Sequence, residues 1–261
     1  ILYTGIEKLE VVNEDKTLAG ITALTEVEAA LAYAPNNAIF GSSSLRWPIP
    51  FGLWVYNGFE KYQNKKGVGR WIFDHLGKSP VLMSSVNGET RAKVATNLLR
   101  DYGYFNGSVS FQEVPQKNPK ESKVSYIINM AQPYFLDSIA YLKFPHYADS
   151  LIQSTLSQSV LKGGENFSVL KLEEERQRLS GLFRNHGYYY YRPEFTTYRA
   201  DTLQKPGHVN LQVVPRSGIP AEAKKQYYIG KTSVYLTGYN DEAPTDTLRL
   251  RTMDIYYSGK K

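Results

Sequence analysis

The sequence predicts an α+β protein built from small β-α-α-β-β modules in series. Three observations predict it. A helix-to-strand element is written twice, as Leu99-Arg100-Asp101-Tyr102-Gly103-Tyr104-Phe105 and as Phe183-Arg184-Asn185-His186-Gly187-Tyr188-Tyr189. Each copy follows a stretch with apolar residues at helical spacing and precedes a strand, a polar Pro-containing loop and a second strand. The front of the unit recurs too: Tyr134–Leu142 resembles Tyr228–Leu236, with Leu2–Val12 as a looser version. A glycine just past a helix end takes the left-handed conformation that stops the helix, so Gly-Tyr reads as helix stop and strand start.

The elements follow in order. Leu2–Val12 is the first strand. Leu24, Val27, Leu31 and Ala34 give a helix over Thr22–Ala34, closed by Pro35. In the next helix Val94, Leu98 and Tyr102 recur every four residues, with Ala95 and Leu99 beside them. Strands follow over Tyr104–Val114 and Lys123–Met130 around the loop Pro115–Ser122. The second unit starts at Tyr134. Its first helix runs over Asp149–Val160, with Asp149 as N-cap and Leu151, Ile152, Thr155, Leu156 and Val160 inward, and stops at Lys162-Gly163-Gly164. Ser168 caps the second helix, whose inner positions are Val169, Leu172, Leu179, Leu182, Phe183 and His186; Glu173, Glu174, Glu175, Arg176 and Arg178 mostly fill the other side. Strands over Tyr188–Tyr198 and Val209–Val214 complete it. The third copy has only strand-like segments. The organisation is therefore a first module over 1–130 with an aromatic-rich insertion at about 35–78, a second over 131–218, and an incomplete third over 219–261.

At 261 residues the chain is long enough for two or three domains. With 42% hydrophobic and 21% charged residues it can bury cores. No apolar run approaches the ~20 residues of a membrane-spanning helix. The absence of cysteine excludes disulfides, thiolate metal sites and thiol catalysis. The net charge of +6 is dispersed; its densest clusters are Lys65-Lys66 with Arg70, Lys224-Lys225 and Lys260-Lys261. A nucleic-acid binder gathers such charge on one stripe, so no nucleic acid is expected as a partner. No leader is visible, and Ile1 opens directly on a strand pattern, as after removal of a leader. Tyrosine is unusually abundant, 21 against 11 phenylalanines, and suits half-buried strands and protein-binding surfaces.

A module with this order, its second helix ending in Gly103-Tyr104 or Gly187-Tyr188 ahead of a strand pair, resembles the POTRA domains of the BamA/TamA family of outer-membrane proteins. The resemblance is tightest over Gln132–Pro215 and good over Val81–Met130. Between Tyr33 and Lys78 the chain departs from a minimal POTRA by an insertion containing Phe40–Tyr56. The enlarged first module is similar to the TamA-like lipoproteins of Bacteroidota, known as TamL. The resemblance implies tandem POTRA-like modules, small mixed sheets each covered by two helices. It implies a periplasmic location, attachment to the outer membrane through a C-terminal β-barrel and an N-terminal lipid anchor, and no cofactor. Its implied partners are unfolded outer-membrane protein clients and a TamB-like assembly protein. The mechanism it implies is β-augmentation, in which an extended chain pairs with a free sheet edge.

Two stretches are candidates for that edge, Tyr104–Val109 and Tyr188–Tyr191, which makes Tyr104, Phe105, Tyr188, Tyr189, Tyr190 and Tyr191 candidate partner-binding residues. Pro193 would interrupt pairing there, as at an edge or bulge. The alternative is that these aromatics only pack sheets against helices. In the insertion, Trp47, Phe51 and Trp54, with Leu53 and Tyr56, are too apolar for a solvated loop. They either fold onto the first module or form a docking surface for a partner or the membrane interface.

Enzymatic readings find little support. His75, His146, His186 and His208 lack metal-ligand spacing. Ser168-Val-Leu-Lys171 has no Ser-Asp-Asn companion, and Ser168 is explained as a helix cap. The rival class is a periplasmic glycan- or peptidoglycan-binding module, since Tyr and Trp stack on sugar faces. Bacteroidota O-glycosylation targets Asp-Ser/Thr-aliphatic triplets, and four of nine aspartates begin one, where composition alone gives about 0.4. The acceptors are Ser138, in a strand, and Ser150, Thr202 and Thr247. Protein purified from its native host is expected to exceed its sequence mass by whole sugar residues; an intact mass equal to that of the bare chain would contradict this.

Overall fold

Buried positions on β3 (Glu121–Asn129) alternate: Ser122, Val124, Tyr126 and Ile128 are packed, while their neighbours are half-exposed or exposed. A period of two means one packed face and one wet face. β3 lies in the middle of a three-stranded sheet, parallel to β1 (Leu2–Val12) and antiparallel to β2 (Ser108–Pro115). Helices α1 (Leu18–Leu31) and α5 (Gly88–Asp101) supply the other half of the core. Ala23, Val27 and Leu31 meet Ala92, Ala95 and Leu99 over Tyr3, Val124, Tyr126 and Ile128. The computed structural model describes residues 1–38, 42–43, 45, 49–236 and 244–258. The α+β class read from the sequence is the fold found.

Helix α1 starts earlier than its apolar spacing indicates, because Thr17 Oγ1 accepts the Gly20 N–H at 3.1 Å and fixes the first turn. It ends at Leu31, where Ala32 turns extended ahead of Pro35. On α5 the buried ridge is Gly88, Ala92, Ala95 and Leu99. Of the residues expected inward, Ala95 and Leu99 lie on this ridge, Leu98 and Tyr102 pack against its flank, and Val94 is exposed. Between the two helices the insertion contributes α2 (Phe51–Phe59) and α3 (Val68–Leu76), and the single turn α4 (Met83–Val86) follows it.

The second sheet has strand order β4 (Phe135–Tyr141), β6 (His208–Pro215), β5 (Thr196–Asp201). The bonds Phe135 N–H to Gly207 O and Leu142 N–H to Val213 O advance together, as in a parallel pair. Its helices are α6 (His146–Ser154) and α7 (Val169–Asn185). Asp149 is not the N-cap of α6: the helix begins three residues earlier, behind Pro145, and Asp149 N–H bonds Pro145 O inside the first turn. The helix stops where Thr155 leaves helical geometry, so Leu156 is exposed instead of inward. Glu175, assigned to the wet side of α7, is fully buried and accepts the Val160 N–H at 3.3 Å. The third sheet, β7 (Thr232–Leu236), β9 (Met253–Tyr257), β8 (Asp246–Arg249), repeats the strand order and directions of the first. Residues 237–243, between β7 and β8, lie outside the described residues.

Packing divides the chain into two compact units, residues 1–140 with 160–175 and 198–212, and residues 141–159 with 176–197 and 213–261. The first contains the core already described. In the second, Phe183 is ringed by Phe144, Tyr188 and Tyr191 at centroid distances of 5.8, 5.8 and 4.7 Å.

The repeated helix-to-strand element shares its main bonds in both places. In the first unit Tyr104 N–H donates to Leu99 O and Gly103 N–H to Arg100 O. In the second unit Tyr188 N–H donates to Phe183 O and Gly187 N–H to Arg184 O. The bond from five residues on is that of a Schellman cap, whose left-handed residue is Gly103 (φ 90°) or Gly187 (φ 93°). A further turn follows each, Gly107 N–H to Tyr104 O and Tyr191 N–H to Tyr188 O. Finally each glycine carbonyl accepts an N–H from the segment leading toward the next sheet, Tyr134 on Gly103 at 2.9 Å and Tyr227 on Gly187 at 2.7 Å. A Cβ on Gly103 would stand 2.6 Å from Phe167 O, and one on Gly187 2.9 Å from Tyr227 O.

Gly103→Ala and Gly187→Ala should therefore each cost ~2 kcal/mol or more, from the left-handed penalty plus the backbone clash. Gly181→Ala, in an exposed helical position with open space around it, should stabilise by ~0.5–1 kcal/mol. Urea unfolding of the three variants decides this; equal effects would contradict the cap geometry.

Candidate functional site

A free strand edge offers unpaired N–H and C=O groups to another chain. The outer edge of β1 is closed at its start. Tyr3 N–H donates to Val81 O at 2.9 Å and Met83 N–H to Ile1 O at 2.9 Å. Asn36 clamps this bridge, donating to Tyr3 O and Val81 O and accepting the Val81 N–H at 2.7 Å. The same device recurs on β4. Leu136 N–H donates to Glu165 O at 2.8 Å, Gly164 N–H to Leu136 O at 2.7 Å, and Phe167 N–H to Tyr134 O at 2.8 Å. In both cases the residues just ahead of the second helix lie along the first strand.

The opposite edge, on β2, is open. In an antiparallel pair a residue's N–H and C=O point to one side, and consecutive residues alternate. Gln116 N–H bonds Glu121 O, which puts the even-numbered residues of β2 in bond with β3. Val109 N–H points the other way, onto Thr96 Oγ1 at 2.9 Å. By the same alternation Phe111 and Glu113 turn their N–H and C=O groups away from the sheet. Ser110–Glu113 are all exposed, and Pro115 ends the donor row. The Phe111 ring anchors this stretch over Gly88, where a Cβ would come within 2.5 Å of it.

The aromatic residues singled out from sequence lie elsewhere. Tyr104–Gly107 and Tyr188–Phe195 are turns, not strand; β2 begins only at Ser108 and β5 at Thr196. Neither Tyr104–Val109 nor Tyr188–Tyr191 is therefore the open edge, and Pro193 opens a 3₁₀ turn instead of interrupting a strand. Their backbone groups are used in closing the helix caps, which turns the rings inward. Tyr104 is fully buried, Tyr188 and Tyr191 nearly so, and Phe105 packs on Tyr134 and Phe167 at 4.9 and 5.0 Å. Tyr189 and Tyr190 are exposed. Phe51 and Trp54 are exposed on α2, and Trp47 lies outside the described residues. Ser150, Thr202 and Thr247 are exposed; so is Ser138, whose hydroxyl donates to Asn210 Oδ1 at 2.6 Å. The edge bridges escaped the sequence reading, although Val81-Leu82-Met83 and Phe167 are apolar residues just ahead of a helix in both units.

Tyr104 has a structural task. Its hydroxyl donates to Asp15 Oδ2 at 2.6 Å, while Asp15 Oδ1 accepts the Thr17 N–H at 2.9 Å, tying the α1 cap to the α5–β2 junction. Burial and the neighbouring carboxylate push the Tyr104 pKa up. Burial alone would raise the Asp15 pKa, but the bonds from Tyr104 and Thr17 hold it below the ordinary value. Among the described residues no group of three or more His, Cys, Asp or Glu comes together to hold a metal.

No protein-family model matches the chain, and no curated protein does. Among solved structures it is similar to POTRA3-5 of BamA from Haemophilus influenzae, with TM-score 0.39 and 10% identity over 92% of this chain and 73% of that one. It is similar to POTRA1-3 of the periplasmic domain of Omp85 from Anabaena, with TM-score 0.32 and 14% identity over 96% of this chain and 72% of that one. The N-terminal domain of Omp85 from Thermosynechococcus elongatus gives TM-score 0.30 and 13% identity over 89% and 66%.

A depressed aspartate contributes stability above its unfolded pKa of ~3.9 and loses it as pH falls through the folded value. Tyr104→Phe should therefore cost ~1–2 kcal/mol at pH 7 and clearly less at pH 3. Urea midpoints at the two pH values check this; an equal loss at both would show that the Asp15 bond is not the cause.

Proposed function

We propose that this chain is a periplasmic, POTRA-type scaffold of an outer-membrane protein assembly or translocation factor, which holds extended client or partner strands along an open sheet edge and catalyses no chemistry. The carrying observation is the asymmetry of the edges. In each of the first two sheets the start of the first strand is bridged by its own chain, whereas β2 leaves the outward groups of Phe111 and Glu113 unused by its sheet. Backbone bonds supply affinity with little sequence preference, which suits many clients. The stretch is short, so each contact is weak, and modules in series would add through effective concentration.

On this reading the parent chain continues into a membrane β-barrel, belongs to the TamL branch of Bacteroidota with a lipid anchor ahead of Ile1, and works with a TamB-like partner. The module boundaries are 1–130, 131–218 and 219–261. One observation favours a glycan-binding reading in second place: Tyr147, Tyr189, Tyr227 and Tyr228 line one groove with Arg184 and Asn185. Titration with soluble peptidoglycan fragments separates the two.

Glu113→Pro removes an outward N–H without touching the bonds to β3, so the fold should survive. A photo-crosslinker at position 113 in the native host should trap unfolded barrel precursors or an assembly partner, and the proline variant should lose at least tenfold in affinity for an unfolded barrel strand. Undiminished binding by a folded Glu113→Pro variant would sink the edge as the site.

A further inference from the structure

Helices α2 and α3 form a small hairpin that packs on itself. Leu53 and Val55 are buried on α2 and Phe73 on α3, and Tyr56 meets Phe73 at 5.1 Å. The outer positions of the same helices are large and apolar. Phe51 and Trp54, three apart on α2, are 52% and 57% exposed; Val68 and Trp71, three apart on α3, are 75% and 56% exposed. Trp71 is braced by His75, stacked at 4.9 Å. The spacing of three puts each pair on one face of its helix, so both helices carry a local apolar surface rather than single exposed residues.

The polar surroundings say what they meet. The connection between the helices carries Lys61, Lys65 and Lys66, all exposed, against the single acid Glu60. Lys61 and Lys65 lie 5.2 and 5.5 Å from the Tyr62 ring centroid, which keeps two cations beside the hairpin. Half-exposed tryptophans on a helix, flanked by lysines, suit a bilayer interface: indole rings settle at headgroup level while ammonium groups meet anionic phosphates. We infer that the α2–α3 hairpin is a peripheral membrane contact that docks the first module onto an anionic phospholipid surface through Phe51, Trp54, Val68 and Trp71, with Lys61, Lys65 and Lys66 supplying the charge. The contact is independent of the β2 edge.

All three tryptophans of the chain, Trp47, Trp54 and Trp71, fall in this insertion, so tryptophan fluorescence, excited to the red of tyrosine absorption, reports on it alone. The whole 261-residue chain is titrated with vesicles of phosphatidylcholine alone and with 30% phosphatidylglycerol. Anionic vesicles should shift emission to the blue, bring the protein down on sedimentation, and give quenching by lipids brominated near the headgroup. Lys61→Gln/Lys65→Gln/Lys66→Gln should weaken partitioning about tenfold or more, as should Trp54→Ser/Trp71→Ser with unchanged circular dichroism. Glu113→Pro should bind vesicles like the parent, so loss of the edge leaves this result standing. No binding to anionic vesicles, equal binding to both vesicle types, or burial of the tryptophans by self-association without lipid overturns the inference.

Discussion

The architecture depends on one backbone constraint, a left-handed glycine that closes a helix and at once receives the chain on its way to the following sheet. Gly103 and Gly187 do this with the same set of bonds, and neither position has space for a β-carbon. Three consequences follow from one conformation. The helix ends at a fixed residue, the next aromatic is aimed into the core, and the glycine carbonyl is free to accept Tyr134 or Tyr227. A chain that solves helix termination and onward connection with one residue can repeat that solution, and here it does so at both places.

The sheets inherit an asymmetry from their order. Because the last strand of each lies in the middle, the first strand and the first hairpin strand are both edges, and unprotected edges invite unwanted pairing. The bridges from Val81–Met83 and Gly164–Phe167 cover the start of each first-strand edge with the protein's own backbone. On β2 the outward groups are reduced by the Thr96 hydroxyl on Val109 and by Pro115, which confines the open stretch to Phe111–Glu113. An edge limited in this way pairs with a short extended segment and resists propagating into a larger sheet.

Element order and repetition were legible because they rest on local rules: a glycine after a helix, an apolar residue every three or four positions, alternation along strands. What escaped the sequence was set by competition between local bonds. Tyr104 and Tyr188 look like strand residues by composition, yet their N–H groups are committed to helix carbonyls, so each strand begins several residues later. On α5 Val94 fits the apolar spacing yet turns outward, because Ala92, Ala95 and Leu99 set the buried ridge. Glu175 reads as a surface charge and is buried, since the backbone of Val160 meets its carboxylate. The open edge cannot be seen in composition at all, because Ser110–Glu113 is an ordinary polar stretch whose importance lies in which way its peptide groups turn.

Residue-resolved amide exchange by NMR tests the central claim most directly, because it reads those peptide groups one at a time. Slow exchange is expected for Ser110 and Gln112, fast exchange for Phe111 and Glu113 in the free protein, and selective slowing of the latter two when an unfolded outer-membrane strand is added. Uniform protection along β2 in the free protein, or no change at Phe111 and Glu113 on adding the strand, would contradict it.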